Sequence, residues 1–182
     1  GFQTLHRISQ NGGSIADDQY RRLPQLGLAA DFPDSFGGLT YSFDSEAVNF
    51  THRNVFNTDQ PVVGGGRFNV SSGVSLSFDW IGVYVTPKVK LQATGYSLHD
   101  QSEANAPNNI TRLVPVFSVD SGATFSRDIN FFQRSYNQTL EPRLFYLFVP
   151  AKNQDNIPLF DTNLPALDFD QLFRDNRFGG ID

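Results

Sequence analysis

The sequence contains no cysteine, no methionine and no excess of positive charge. Without cysteine, neither a disulfide framework nor a thiolate metal site can form within this stretch. The net charge of −5 speaks against a nucleic-acid-binding surface, because phosphate contacts need clustered lysine and arginine. Because even an initiator methionine is missing, we expect a mature, trimmed or excised piece, in which no signal peptide would be visible.

Long apolar runs are missing as well, since none approaches the roughly 18 consecutive residues of a transmembrane helix. Hydropathy alone would indicate a soluble protein, but that rule does not detect membrane barrels, whose strands alternate in polarity. Aromatic residues, in contrast, are abundant, with 18 phenylalanines among 182 residues. This composition argues against disorder.

Apolar and polar residues alternate along most of the chain. In residues 67–80, RFNVSSGVSLSFDW, the even positions are apolar apart from Ser72 and the odd positions are polar. Residues 83–98 repeat the pattern after a tight turn at residues 79–82, so the two stretches are predicted to form a hairpin. Each strand would have one apolar face and one polar face.

The same alternation predicts about seven antiparallel strands, followed by a long surface loop over residues 151–182. The expected strands are residues 1–10, 20–32, 39–53, 67–80, 83–98, 110–128 and 137–150. Short turns fall at one end of these strands and long polar loops at the other, as in outer-membrane barrels. Aromatic residues cluster near both ends, with Phe50 and Phe68 towards the long loops, which is typical of interfacial girdles. We predict an all-β fold, an antiparallel up-and-down transmembrane β-barrel segment of a larger barrel.

Two other interpretations fit the alternation. A generic outer-membrane porin or transporter would share it, and a soluble carbohydrate-binding β-sandwich would also bury one face of each strand. A sandwich would be expected to have shorter strands, with turn signals every ~8 to 12 residues.

Charged side chains on the polar faces are the candidate functional residues, because they would line a hydrated lumen. We expect Glu141 and Arg143 to form a lumen ion pair, rather than to act as a catalytic acid and a substrate clamp. The three glycines at residues 64–66 are expected at a flexible loop tip, and the histidines lack metal-ligand spacing. We expect no catalytic residue, no metal site and no cofactor. The candidate lumen residues are Asp44, Glu46, Lys88, Lys90, Glu141 and Arg143.

Two motifs carry a family resemblance. The stretch QTLEPRLFYLFVP (residues 138–150) and the stretch LFRDNRFGGID (residues 172–182) closely resemble the C-terminal barrel of the LptD family of lipopolysaccharide (LPS) assembly proteins, also called OstA or Imp. The stretches at residues 20–28 and 112–122 resemble the family in the same order, with a Pseudomonas-like character. Gly179 departs from the family pattern, in which serine is more usual. The family-motif residues of the final loop are Leu172, Phe173, Arg174, Asp175, Gly180 and Asp182.

The resemblance implies a non-enzymatic role in the cell outer membrane of Gram-negative bacteria. It implies a large barrel that is plugged by the lipoprotein LptE and receives LPS from a periplasmic LptA bridge through an N-terminal domain. Lipid A would leave through a lateral gate while the sugars pass through the hydrated lumen. The N-terminal domain and the gate strands have no counterpart in this stretch, so residues 1–182 would form a partial barrel domain. The lumen residues would then face LptE or passing sugar, without any nucleic-acid partner.

Overall fold

The computed structural model describes residues 20–52, 62–101, 106–132 and 134–182, and these residues form an all-β structure. Two 3-10 turns, Phe36–Gly38 and Asp170–Phe173, are the helical elements of these ranges. Among the same residues there is no helix of the length and apolarity that crossing a membrane requires. The prediction of an all-β, antiparallel fold is confirmed. The strands are β1 (Arg21–Phe32), β2 (Leu39–Thr51), β3 (Gly64–Leu76), β4 (Phe78–Trp80), β5 (Val83–His99), β6 (Asn109–Ala123), β7 (Phe125–Phe131), β8 (Arg134–Leu140) and β9 (Arg143–Phe148).

The main sheet runs in the order β1-β2-β3-β5-β6-β9, and β4 also pairs with β5. Strand β4 continues β3, because both pair with β5 in the same register. Strands β7 and β8 likewise extend the β6–β9 pair without a change of register. Within the described residues the sheet stays open, as expected for a segment of a larger barrel. The strand predicted at residues 1–10 lies outside the described residues.

The turn between β4 and β5 shows why the short connections form where they do. It consists of Ile81 and Gly82, and Gly82 has a φ of 72°, in the left-handed region that glycine enters without steric cost. Tight turns of this kind join strands that are antiparallel neighbours in the sheet. The connections from β2 to β3 and from β5 to β6 are longer and lie at the opposite end of the sheet.

The expectation of a flexible loop tip at residues 64–66 is wrong, because these glycines begin β3 and pair with β5. A Cβ atom on Gly64 would lie 2.7 Å from the His99 ring, and one on Gly65 would lie 2.3 Å from the Ser97 carbonyl oxygen. Side chains at these two positions would collide with β5. The close approach of the neighbouring strand, and not flexibility, therefore accounts for Gly64 and Gly65.

The two faces of the sheet have different surroundings. The apolar face is open to the exterior, with Leu26, Phe68 and Leu144 between 56% and 70% exposed. The polar face is partly covered by residues 151–182, and a small core lies between them at the long-loop end. The assignment of Phe50 to an aromatic girdle is wrong, because its ring is fully buried in this core and stacks on Phe160 at 4.4 Å. The core consists of Val48, Phe50, Tyr96, Leu98 and Phe160.

Candidate functional site

Residues 151–182, here called the covering segment, lie against the polar face of the sheet. The segment folds back on itself through an antiparallel bridge between Asn163 and Gly179, with N–H to carbonyl distances of 3.2 and 2.9 Å. Residues 164–178 form its tip, which contains the Asp170–Phe173 turn. The covering segment contacts the sheet at two places, one at the long-loop end and one deeper along the strands.

The first attachment, here called the anchor, is centred on Arg67 of β3. Its guanidinium binds Asp161 through Nη1 and Nη2, both at 2.7 Å, and Asp182 through Nη1 at 2.6 Å. Nη2 also binds Glu46 of β2 at 2.8 Å. The side chains of Arg67, Asp161 and Asp182 are 1%, 3% and 0% exposed. Because the planar guanidinium can serve several carboxylates at once, one wall residue holds both arms of the covering segment.

The anchor shifts the pKa values of Asp161 and Asp182 in opposite directions. Burial opposes ionisation of Asp161, but the hydrogen bonds and charge of Arg67 outweigh it and lower the pKa of Asp161 to about 2. Burial and the neighbouring Asp161 carboxyl together raise the pKa of Asp182. Asp161 is therefore the carboxylate that Arg67 holds ionised, while Asp182 is the one that takes up a proton first.

The Asp182 side chain also forms hydrogen bonds with the backbone of the covering segment. Its Oδ2 atom accepts hydrogen bonds from the N–H groups of Phe160 and Asp161, both at 2.9 Å. Tyr96 donates its hydroxyl to Asp182 Oδ1 at 3.3 Å, and Arg112 donates to the carbonyl oxygen of Ile181. Strands β2, β3, β5 and β6 thus all take part in fastening the segment.

The second attachment, here called the clasp, joins Lys88 and Lys90 of β5 to Asp175. The two ammonium groups lie 3.4 and 3.0 Å from the same oxygen, Asp175 Oδ2. Burial opposes ionisation of Asp175, but the hydrogen bond and charge of Lys90, with a contribution from Lys88, lower its pKa. Tyr96 is the residue of β5 that lies opposite Arg67 in the sheet, and it is eight positions from Lys88. At about 3.3 Å per residue, the anchor and the clasp are about 25 Å apart along the strand.

Arg143 forms a contact that the sequence analysis did not predict. The expected ion pair with Glu141 is wrong, because Arg143 binds both carboxylate oxygens of Asp120 on β6, with Nε at 2.9 Å. Its guanidinium also lies 4.2 Å from the centre of the Phe173 ring. Glu141 lies between β8 and β9, whereas Asp120 is the diagonal neighbour of Arg143 across the β6–β9 pair.

The family to which this chain belongs follows from a match over its whole length. The profile of the family described as LPS transport system D, LptD, matches residues 1–182. The chain belongs to the LptD family. The resemblance found in the two sequence motifs is thereby confirmed.

Several LptD relatives align along the chain. The LPS-assembly protein LptD of Coxiella burnetii is 42% identical over 181 residues, and that of an Azoarcus species is 46% identical over 183 residues, each covering 100% of this chain. The LPS-assembly protein LptD of Pseudomonas syringae pv. tomato is 39% identical over 90% of the chain. The chain spans about a fifth of the length of these relatives, 20% or 21% in each case.

Four of the six LptD-motif residues in the covering segment make specific contacts. Asp175 and Asp182 bind wall cations and Phe173 lies on Arg143, while Gly180 has a φ of 82° beside the backbone of Asp161. Leu172 and Arg174 are exposed. Asp182 binds Arg67 on the polar face of the sheet. The alternation of polar and apolar residues placed Arg67 on this face, but Arg67 was not among the candidate lumen residues.

The candidate lumen residues divide into two groups. Glu46 belongs to the anchor, Lys88 and Lys90 to the clasp, and Arg143 to the contact with Phe173. Asp44 and Glu141 are exposed and form no ion pair within the described part of the chain. No cluster of three or more metal-ligating side chains occurs among the described residues. The arrangement can bind charge and hold a polypeptide segment on a hydrated wall.

Proposed function

We propose that the full protein assembles LPS at the outer membrane and that this chain contributes part of the wall of its barrel. The observation that carries the proposal is the LptD family profile, which matches all of residues 1–182. The relatives that align along the chain are named LPS-assembly proteins.

The open apolar face supports a location in the outer membrane. Large apolar side chains that remain exposed along several neighbouring strands form a continuous surface suited to lipid. The opposite face carries ion pairs and hydrogen-bonded side chains, which suit a hydrated interior. A barrel wall needs this division, because every strand must satisfy lipid on one side and water on the other.

The partners proposed for the full protein are LPS, the LptE lipoprotein plug and the periplasmic LptA bridge. LptA would be met by an N-terminal domain outside this stretch, whereas LptE and passing sugars would meet the polar face. Asp44 and Glu141 are the candidate lumen residues best suited to such contacts, since both are exposed and have no ion pair within the described ranges.

The test of the export function is depletion of the full-length protein in its own bacterium. Surface LPS should fall as the protein is depleted and recover when a wild-type copy is expressed. If surface LPS stays at its initial level while the protein disappears from the outer membrane, the export function is refuted.

The contact role of the two exposed carboxylates is tested separately in the full-length protein. Asp44→Ala with Glu141→Ala should weaken co-purification of LptE or lower surface LPS while the barrel still inserts. Each single change is expected to be nearly silent, because exposed charge pairs contribute only about 0 to 1 kcal/mol. The isosteric pair Asp44→Asn and Glu141→Gln separates the loss of charge from the loss of the side chain. Normal plug retention and normal export in the double alanine variant would show that both residues are inert.

A further inference from the structure

The anchor and the clasp differ in how firmly they hold the covering segment. The three charged groups at the centre of the anchor are between 0% and 3% exposed, whereas Lys88, Lys90 and Asp175 are 36%, 22% and 18% exposed. Breaking a buried ion pair leaves an uncompensated charge away from water, while breaking an exposed pair is nearly neutral. The clasp is therefore the end of the segment that can open while the anchor stays closed.

The geometry at the base of the tip is compatible with such an opening. The bridge between Asn163 and Gly179 closes the loop of residues 164–178, and the anchor residues Asp161 and Asp182 lie outside that loop. The ion pairs and ring contacts that tie the tip to the described strands come from Asp175 and Phe173. Release of these two residues would free the tip without disturbing the anchor.

The clasp is also unbalanced in charge. Two ammonium groups share one carboxylate oxygen, and no other carboxylate of the described residues forms an ion pair with either lysine. Asp120, a diagonal neighbour of Lys88 across the β5–β6 pair, is itself paired with Arg143. Among the residues that the structure describes, the two ammonium groups therefore have a single carboxylate between them within ion-pair distance. A ligand with two negative charges would match the lysine pair better than Asp175 does.

We propose that Lys88 and Lys90 form an anion site that Asp175 occupies in the resting state, and that a phosphate monoester on a glycolipid displaces Asp175 and loosens the tip, which the contacts of Phe173 then hold alone. The proposal rests on the proposed function, which brings such a glycolipid to the polar face. A phosphate monoester carries about −1.5 to −2 charges near neutral pH and three strong acceptor oxygens, so it can bind both ammonium groups at once. The anchor keeps the covering segment attached during this exchange.

The experiment is hydrogen exchange on the full-length protein with its partner in detergent micelles. The probes are a phosphorylated glycolipid of the lipid A type, its dephosphorylated form, and inorganic phosphate. The phosphorylated glycolipid should speed exchange in residues 164–178 by about two- to fivefold, the range expected when an exposed ion pair worth up to about 1 kcal/mol is lost. Residues 157–163, which adjoin the anchor, should keep their protection. Inorganic phosphate should act in the same direction only at higher concentration, and the dephosphorylated glycolipid should have no effect.

Variants of the clasp test the same exchange without a ligand. Asp175→Asn should speed exchange in residues 164–178 by a similar factor, and the phosphorylated glycolipid should add nothing further. Lys88→Gln with Lys90→Gln should abolish the response to phosphate. The matched control is Asp155→Asn, which removes the same charge from an exposed aspartate of the covering segment that forms no ion pair in the described ranges.

Three results would overturn the proposal. Asp175→Asn could exchange like Asp155→Asn, the two glycolipid forms could act equally, or residues 157–163 could lose protection together with the tip. The depletion experiment separates this outcome from failure of the proposed function. If depletion leaves surface LPS unchanged but inorganic phosphate still opens the tip through Lys88 and Lys90, the anion site stands and the export function fails.

Discussion

The attachment of the covering segment to the sheet depends strongly on one side chain, that of Arg67. It balances Asp161 and Asp182, which are almost fully buried, and it also contacts the Phe50 ring, with Cζ 4.9 Å from the ring centre. The desolvation of these charges is offset only as long as all of them remain together. A change at Arg67 should therefore have a much larger effect than a change at an exposed arginine of the same sheet.

We predict that Arg67→Met in the full-length protein releases the base of the covering segment. Asp182 and Asp161 would lose their nearest cation in a buried site, with Arg22 left 3.7 Å from Asp161, and loss of such a partner costs about 3 to 5 kcal/mol. Hydrogen exchange of residues 157–163 should speed up strongly, while exchange in β5 should change little. Arg21→Met, at an exposed arginine of β1 without an ion pair in the described ranges, is the matched control. Equal protection of residues 157–163 in the two variants would contradict the assignment of the anchor.

The pKa of Asp161 predicts that the anchor weakens in acid. Its folded pKa of about 2 lies below the ordinary value of 3.8, so its stabilising contribution is complete above pH 3.8 and is lost as the pH falls towards 2. The raised pKa of Asp182 acts in the opposite sense, because protonation relieves its buried charge. A nitroxide at the exposed Leu159 should become more mobile between about pH 4 and pH 2. Asp161→Asn should remove most of this dependence, and an unchanged pH profile in that variant would count against the role of Asp161.

At the scale of elements, glycine sets how closely strands and segments approach. Gly122 of β6 lies under Tyr84 of β5, where a Cβ atom would be 2.5 Å from the tyrosine ring. Tyr84 in turn reaches Asp120, the partner of Arg143, at 3.4 Å. The packing of one glycine thus helps to position the acceptor that orients Arg143 towards Phe173.

Gly180 is predicted to be necessary for the hairpin of the covering segment. Its φ of 82° is strained for other residues, and a Cβ atom there would lie 2.6 Å from the Asp161 carbonyl oxygen. Gly180→Ala should therefore displace Asp182 from Arg67 and speed exchange in residues 157–163. Gly66→Ala is the matched control, because a Cβ atom on Gly66 meets nothing within 4 Å. If both alanine variants keep wild-type protection, the backbone at Gly180 tolerates the substitution.

The sequence predicted the two faces of the strands because lipid and water impose opposite demands on alternate residues. It did not predict the pairing of Arg143 with Asp120, because alternation fixes the face on which a residue lies but not which residue of the next strand lies beside it. It also missed the role of Arg67, since a polar-face arginine has the same local pattern whether it is solvated or buried. The burial of Arg67 depends on residues 160, 161 and 182. The alternation within strands could not assign these loop residues to the polar face.

At the scale of the whole molecule, the faces of the sheet should differ in their tolerance of charge. Leu144 and Leu147 lie on opposite faces of β9 and are 70% and 36% exposed. We predict that Leu144→Arg destabilises the full-length barrel in membranes by roughly 2 to 4 kcal/mol if the site is near the bilayer midplane. Leu147→Arg, on the polar face, should cost much less. The measurement is the fraction of folded barrel in membranes, and equal losses in the two variants would show that the face assignment is wrong.

The covering segment has a consequence for the order of assembly. Each long strand pairs with its neighbour in sequence, whereas the anchor joins residues 94 and 115 positions apart and the clasp joins residues 85 positions apart. Contacts between distant residues form late, because the chain between them must first lose its freedom. The wall should therefore be complete before residues 151–182 settle on it. During folding, the polar face of the sheet is therefore accessible for a time before the covering segment closes over it.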